Sequence, residues 1–274
     1  MPTLDLHPRV HATTVIGRRE LAAGVILMTL EAPRLADATR PGQYLMAIPP
    51  GAQAAATALA IYEAEGKLAS ILFFLTGKRT RELAGLRAGD RLDVIGPLGN
   101  GFDCSGDARD VAIVAGGVGI ASVLLLAQTL RRAGTSTRLF YGARTRELLI
   151  DAQRFADAGC ELVLTTDDGS YGQRGFVTDA LARSRKPELI YACGPSPMLR
   201  SVARVAADRG VRAQLALEET FGCGVGGCWG CVVPLIAASA QAPSFPPAEL
   251  GGSDVVYARI CKEGPVFWAD ELRW

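Results

Sequence analysis

The residues of this sequence best suited to chemistry are four cysteines, Cys223, Cys228, Cys231 and Cys261. Four and then two residues separate the first three, and the last follows after a long gap, which is the spacing of a [2Fe–2S] site. Four thiolates must converge on two irons, so the chain has to wrap around them. Gly222, Gly224, Gly226, Gly227 and Gly230 relieve the steric limits on that wrapping. Their N–H groups can point at the sulfurs, stabilising negative charge and raising the reduction potential. The competing reading is a four-cysteine zinc site, which usually shows two paired C-x2-C arms; here there is one arm and a lone cysteine upstream of it. The other three cysteines stand apart, and Cys104 and Cys160 read as small buried or incidental thiols.

A second chemistry is spread over three predicted strand ends. The run Val111 to Ala115 leads into Gly116, Gly117, Val118 and Gly119, a buried strand entering a glycine turn at a helix start. Such a turn offers unpaired N–H groups and the positive end of a helix dipole to a pyrophosphate. By itself the pattern is weak, because it is not the full G-x-G-x-x-G fingerprint and a tight turn needs glycine anyway. Thr165-Thr166-Asp167-Asp168-Gly169-Ser170 and Tyr191-Ala192-Cys193-Gly194-Pro195 also follow predicted strands, where open parallel sheets bind ligands. Together the three strand ends predict a dinucleotide crevice. The only histidines are His7 and His11, near the N-terminus, and no hydrolytic machinery is evident.

These residues need a scaffold, and 274 residues exceed one ordinary domain. About half the residues are apolar and a fifth charged, enough for real cores, and the net charge of +1 supplies no field to recruit nucleic acid or an anionic membrane. The N-terminus lacks a signal-peptide core, and seven cysteines with three inside nine residues do not make a secreted disulfide framework. A cytoplasmic location is therefore expected. Residues 1–105 read as an antiparallel β-barrel, with short strands at Val25 to Leu30, Tyr44 to Ile48 and Ala69 to Leu75 and a helix at Arg79 to Leu86. Strand–helix alternation over 106–213 predicts a doubly wound α/β domain with a parallel sheet, with helices over Ile120 to Ala133 and Arg146 to Ala158 among others. Residues 214–274 form a small cysteine-bearing segment that includes a surface loop over Ala237 to Ser253.

The strand-end motifs, the cysteines and the C-terminal Cys261-Lys262-Glu263-Gly264-Pro265-Val266-Phe267 resemble the electron-transfer subunits of dihydroorotate dehydrogenase, within the ferredoxin–NADP reductase superfamily. Further matching stretches are Gly77-Lys78-Arg79-Thr80, Gly96 to Phe102, Ala115 to Ala121, Thr166 to Gly172 and Leu217-Glu218-Glu219, so the resemblance covers nearly the whole chain. It implies an FAD-binding barrel, an NAD(H)-binding α/β domain and a [2Fe–2S] segment facing a catalytic flavoprotein subunit, in a heterotetramer or larger complex that serves pyrimidine synthesis. In such proteins a hydride passes from NADH to FAD, and single electrons then reach the partner's flavin through the cluster. A nicotinamide gives two electrons at once and an iron–sulfur cluster takes one, so a converter must lie between them.

Carried over to this chain, the resemblance places the flavin on Leu59, Ala60, Ile61, Thr76, Gly77, Arg79 and Thr80. It places the nicotinamide nucleotide on Gly116, Gly117, Gly119, Asp167, Gly194 and Pro195, and gives Cys193 a catalytic position beside the nicotinamide. One departure stands out: Thr57-Ala58-Leu59-Ala60 occupies the place of the family's flavin-gripping Arg-x-x-Ser motif. Losing a charge-assisted phosphate contact removes on the order of 1.5–3 kcal/mol of binding. The alternatives that follow are a flavin-free iron–sulfur relay or scaffold subunit, or a reductase for a different partner. Arg144 and Arg146 follow the second strand of the α/β domain, where a 2′-phosphate would be read, and leave NADH and NADPH both open.

Overall fold

Alternation of apolar and polar residues builds the first half of the chain. The computed structural model describes residues 9–49, 56–239 and 254–274. The N-terminal segment with His7, most of the alanine run that begins at Ala52, and residues 240–253 of the expected surface loop lie outside them. Strands β1 (Val10–Ala22), β2 (Val25–Glu31), β3 (Tyr44–Ile48), β4 (Thr57–Glu65), β5 (Leu68–Phe74) and β6 (Arg91–Leu98) close into an antiparallel barrel in the order β1-β2-β5-β4-β3-β6. Two short helices, α1 (Pro33–Ala38) and α2 (Lys78–Ala84), complete it. On β2, Ile26, Met28 and Leu30 pack inside the barrel, whereas Val25 and Leu27 face the neighbouring domain. On β4 the same period of two puts Leu59 and Ile61 inside and Ala60 and Tyr62 outside.

The α/β layer follows with β7 (Asp110–Gly116), α3 (Leu124–Arg132), β8 (Ser136–Ala143), α4 (Ala152–Asp157), β9 (Glu161–Thr166), β10 (Gln173–Arg174), α5 (Val177–Arg183), β11 (Leu189–Cys193), α6 (Ser196–Asp208) and β12 (Arg212–Ala216). After them come β13 (Val232–Ile236), β14 (Val255–Arg259) and β15 (Val266–Trp268). The seven-stranded sheet has the order β10-β9-β8-β7-β11-β12-β15 and is parallel except for β15. Val111 to Ala115 are wholly buried, as a central parallel strand covered on both faces requires. β13 and β14 pair antiparallel beside it. Among the described residues no helix is long and apolar enough to cross a membrane.

Three details depart from the sequence reading. The expected helix over Ile120 to Ala133 starts as a 3₁₀ turn at Gly117–Ser122 and becomes α-helical only after Val123. The expected helix over Arg146 to Ala158 breaks at Asp151, which adopts φ 54° and accepts a hydrogen bond from the Tyr62 hydroxyl of the barrel at 2.7 Å. A boundary at residue 213 falls inside β12, so sheet hydrogen bonding carries the α/β layer through Ala216 and recruits β15 from the C-terminal segment. The Tyr62 contact also helps join the domains: Glu63 accepts hydrogen bonds from Gln128 and Arg154 beside it. Burial, then the Asp151 charge, pushes the Tyr62 phenol upward and keeps it protonated.

Candidate cofactor cleft and cysteine site

Because β7 and β11 are parallel neighbours, the glycine turn after one meets the Cys193-Gly194-Pro195 turn after the other. The two turns pack backbone against backbone. A Cβ on Gly119 would stand 2.3 Å from the Cys193 carbonyl oxygen, so this glycine serves the packing of the turns. Gly117, at φ +53°, meets nothing within 4 Å and borders open space.

That space is a cleft of about 1050 Å³ between barrel and sheet, at the upper end of the roughly 300–1000 Å³ of ordinary ligand sites. Of the residues singled out from the sequence, Leu59, Ala60, Thr76, Thr80, Gly116, Gly117, Asp167, Cys193 and Pro195 line it. Ile61, Gly77, Arg79, Gly119 and Gly194 stand behind or beside its wall. Arg144 lines the cleft as well, whereas the Arg146 guanidinium lies over the Tyr171 ring at 5.3 Å.

On the floor of the cleft, the Cys193 thiol donates to Glu218 Oε1 at 3.4 Å. Burial, then the Glu218 charge, pushes the thiol well above its ordinary value, so Cys193 is a protonated donor and not a thiolate nucleophile. Glu218 lies open along the cleft, but the surrounding walls desolvate its carboxyl and raise its pKa. Sequence reasoning did not single out Glu218 as a site residue. The available signal was its place just past the end of β12, the same kind of strand end that flagged the other three.

The barrel wall of the cleft includes Thr57-Ala58-Leu59-Ala60. Several main-chain N–H groups of the residues expected to carry the flavin are engaged already. Ile61 N–H donates to the Gln43 carbonyl at 3.1 Å, Thr76 N–H to the Phe74 carbonyl at 2.9 Å, and Gly77 N–H to Thr80 Oγ1 at 3.1 Å. Thr80 therefore caps its own turn, and Ile61 belongs to the barrel core. Arg79 reaches back to the Ala56 carbonyl at 3.4 Å, a long contact next to Thr57. Thr57 Oγ1 is buried with no hydrogen-bond partner among the described residues. An orphaned hydroxyl in an apolar wall this size fits a bound polar-edged ring cofactor that supplies the missing partner.

The four cysteines come together as two pairs. Cys223 Sγ accepts the N–H groups of Gly227 at 3.2 Å and Cys228 at 3.3 Å, and Cys231 Sγ accepts the Cys261 N–H at 3.5 Å. Burial pushes the Cys223 thiol up, but hydrogen bonds from Val225, Cys228 and Gly227 outweigh it and leave it lowered to about 6. Cys261 goes the other way, pushed up to about 12 by burial and by the adjacent Cys231. Among the described residues no three His, Cys, Asp or Glu side chains gather around a single metal point. Thiols gathered in twos would give each iron of a two-iron core two protein ligands, whereas a tetrahedral zinc would need all four at one ion.

The loop is held from outside by Arg259, which donates to the Gly226 carbonyl at 2.6 Å and pairs with Glu263. The Arg259 guanidinium also covers the Trp229 ring at 4.5 Å, so Trp229 stacks beside the cysteines at φ +58°.

A closed barrel facing a parallel sheet, with the cleft between them reaching the end of the glycine turn, defines a nicotinamide-dependent reductase of the ferredoxin–NADP reductase type; residues 113–204 match the family of the oxidoreductase NAD-binding domain. The chain is 32% identical over 259 residues to the electron transfer subunit of dihydroorotate dehydrogenase B (NAD(+)) from Caldanaerobacter subterraneus subsp. tengcongensis, covering 94% of this chain and 96% of the relative. It is 34% identical over 267 residues to the corresponding subunit of Geobacillus kaustophilus, again with 94% and 96% covered. The chain belongs to the family of dihydroorotate dehydrogenase B electron transfer subunits, as its motifs had implied. Among solved structures it is similar to a chain of the NADH-dependent reduced ferredoxin-NADP oxidoreductase of flavin-based electron bifurcation, with a TM-score of 0.80 and 28% identity, covering 96% of this chain and 90% of that one. The ferredoxin reductase in carbazole 1,9a-dioxygenase shares the fold at a TM-score of 0.64 and 23% identity, over 74% and 66% of the two chains.

Proposed function

We propose that this chain passes electrons from NADH to a partner oxidoreductase, a dihydroorotate dehydrogenase-like catalytic flavoprotein, in a heteromeric cytoplasmic complex of pyrimidine synthesis. The observation that carries this reading is a single cleft bounded by the barrel, both glycine turns and Phe221 of the cysteine segment, with Cys231 and Cys261 in the core cluster against which Phe221 packs. When bound, FAD would accept a hydride and a [2Fe–2S] cluster would accept single electrons.

The residues divide that work. Gly116, Gly117 and Pro195 shape the nucleotide side, with Asp167 and Arg144 farther along the same wall. Cys193, held protonated by burial and by its hydrogen bond to Glu218, sets a neutral thiol and not a thiolate where the nicotinamide and flavin rings would meet. Leu59, Ala60, Thr76 and the orphaned Thr57 hydroxyl would form the flavin side, and Cys223, Cys228, Cys231 and Cys261 would hold the irons in pairs. Val118 and Phe176 add exposed apolar side chains to the lining of the cleft.

One observation favours a second reading. Among the described residues the barrel lining of the cleft carries no cation, and the N–H groups of Ile61, Thr76 and Gly77 are engaged, which suits a flavin-free relay. Anaerobic purification followed by analysis of released flavin, iron and sulfide separates the two. Near one flavin and two irons per chain, with NADH-driven reduction of a one-electron acceptor, supports the enzyme. Two irons without flavin supports the relay. A colourless, zinc-containing chain overturns both.

A further inference from the structure

Tyr44 borders the cleft and also reaches both cysteine pairs. It stands on β3 with its ring bordering the cleft and only 5% exposed. Its hydroxyl lies 2.6 Å from the Gly224 carbonyl and 2.7 Å from the Cys261 carbonyl. Gly224 follows Cys223 of one pair, and Cys261 belongs to the other, so a single O–H is shared between both halves of the cysteine site. The Phe221 ring lies 5.0 Å from the Tyr44 ring and also lines the cleft. Two residues along the same face of β3, Met46 fills the space under Gly224, where a Cβ would come within 2.3 Å of its sulfur. The barrel thus grips the cysteine loop through adjacent outward positions of a single strand.

We propose that Tyr44 is a positioning residue that fixes the cysteine site against the flavin side of the cleft and so sets the rate of single-electron passage between them. The inference rests on the function proposed above. Transfer between two redox centres falls steeply with the gap between them, and a cluster's potential follows the hydrogen bonds around its ligands. Tyr44 itself is neither oxidised nor reduced: one electron leaves the two-electron carrier, one arrives at the irons, and the phenol keeps its proton. Removing the hydroxyl leaves two carbonyls without their donor and frees the loop to shift.

The test is Tyr44→Phe in the anaerobically purified holoprotein, with NADH as reductant. Flavin bleaching and the paramagnetic signal of the reduced cluster are followed separately, and the cluster's midpoint potential is titrated. Flavin reduction is expected within about twofold of wild type and cluster reduction slowed about tenfold, the usual size of an outer-shell loss, with the potential lowered. Fluorotyrosine at position 44 keeps the ring and strengthens the donor, so it should move the potential the opposite way even if Tyr44→Phe proves too unstable to assay. A merely structural Tyr44 would lower thermal stability while leaving the ratio of the two rates and the potential unchanged, and that result overturns the inference alone. Absence of iron and sulfide from the wild-type chain overturns it together with the function on which it rests.

Discussion

The outer and inner cysteine pairs arrive at similar closeness by opposite routes. Cys223 and Cys228 are five positions apart, and a local loop whose N–H groups aim at Cys223 Sγ brings them together. Cys228 is exposed and Cys223 half-buried. Cys231 and Cys261 are thirty positions apart, and the β13–β14 ladder joins them: Val232 pairs with Arg259, which puts the residues flanking the ladder side by side. Both of these thiols are buried. The outer pair is a property of its loop, and the inner pair is a property of the fold.

Three experiments would break or sharpen that contrast. The largest effect is expected from the inner ligands: Cys231→Ser or Cys261→Ser should cut iron and sulfide per chain on the order of tenfold, because the site and its fold form together. Cys228→Ser, in a loop open to solvent, should retain a larger share, and equal losses in all the variants would break the comparison. Next, Gly224→Ala should lower stability in chemical denaturation by about 1–2 kcal/mol for its φ of +67°. The clash with Met46 should add about 1–3 kcal/mol. Gly227→Ala, whose Cβ would meet only Cys223 Sγ at 3.9 Å, should cost much less, and an equal cost would show that the loop does not lean on the barrel. The smallest effect is chemical. In the metal-free chain an alkylating reagent should label Cys223 and Cys228 about tenfold faster than Cys231 and Cys261, following exposure and thiolate character. Uniform labelling, read by mass spectrometry of the digested chain, would mean that the inner pair is not formed without metal.

The barrel shows where sequence reading stops. β2, β3 and β5 were legible as apolar runs, but β1, β4 and β6 carry Arg, Glu and Asp on their open faces and did not read as strands. Even a correctly read strand does not announce its neighbour. The alternation on β4 assigns Leu59 and Tyr62 to opposite faces, yet says nothing about which face meets the sheet. Only the packed domains show that Tyr62 reaches Asp151 and breaks the helix expected there. Among the proposed site residues, Gly116 and Pro195 were found because strand-end glycine turns are local patterns. Glu218 was quoted as part of a motif but given no role, since its link to Cys193 spans 25 residues and depends on β11 and β12 lying side by side.

The sequence by itself determined the proposed ligand set, its spacing, the glycine turns and the order of barrel, sheet and cysteine segment, because each is written in residues close together along the chain. The tertiary structure alone decided that the hydroxyl of Thr57, which stands in the place of the family's flavin arginine, is buried without a partner among the described residues and that Cys193 is capped by Glu218. It alone decided that Tyr44 holds carbonyls 180 and 217 positions away. Hydrogen bonds at such separations form only after burial has brought whole faces together, and apolar burial has no direction of its own to announce them in advance.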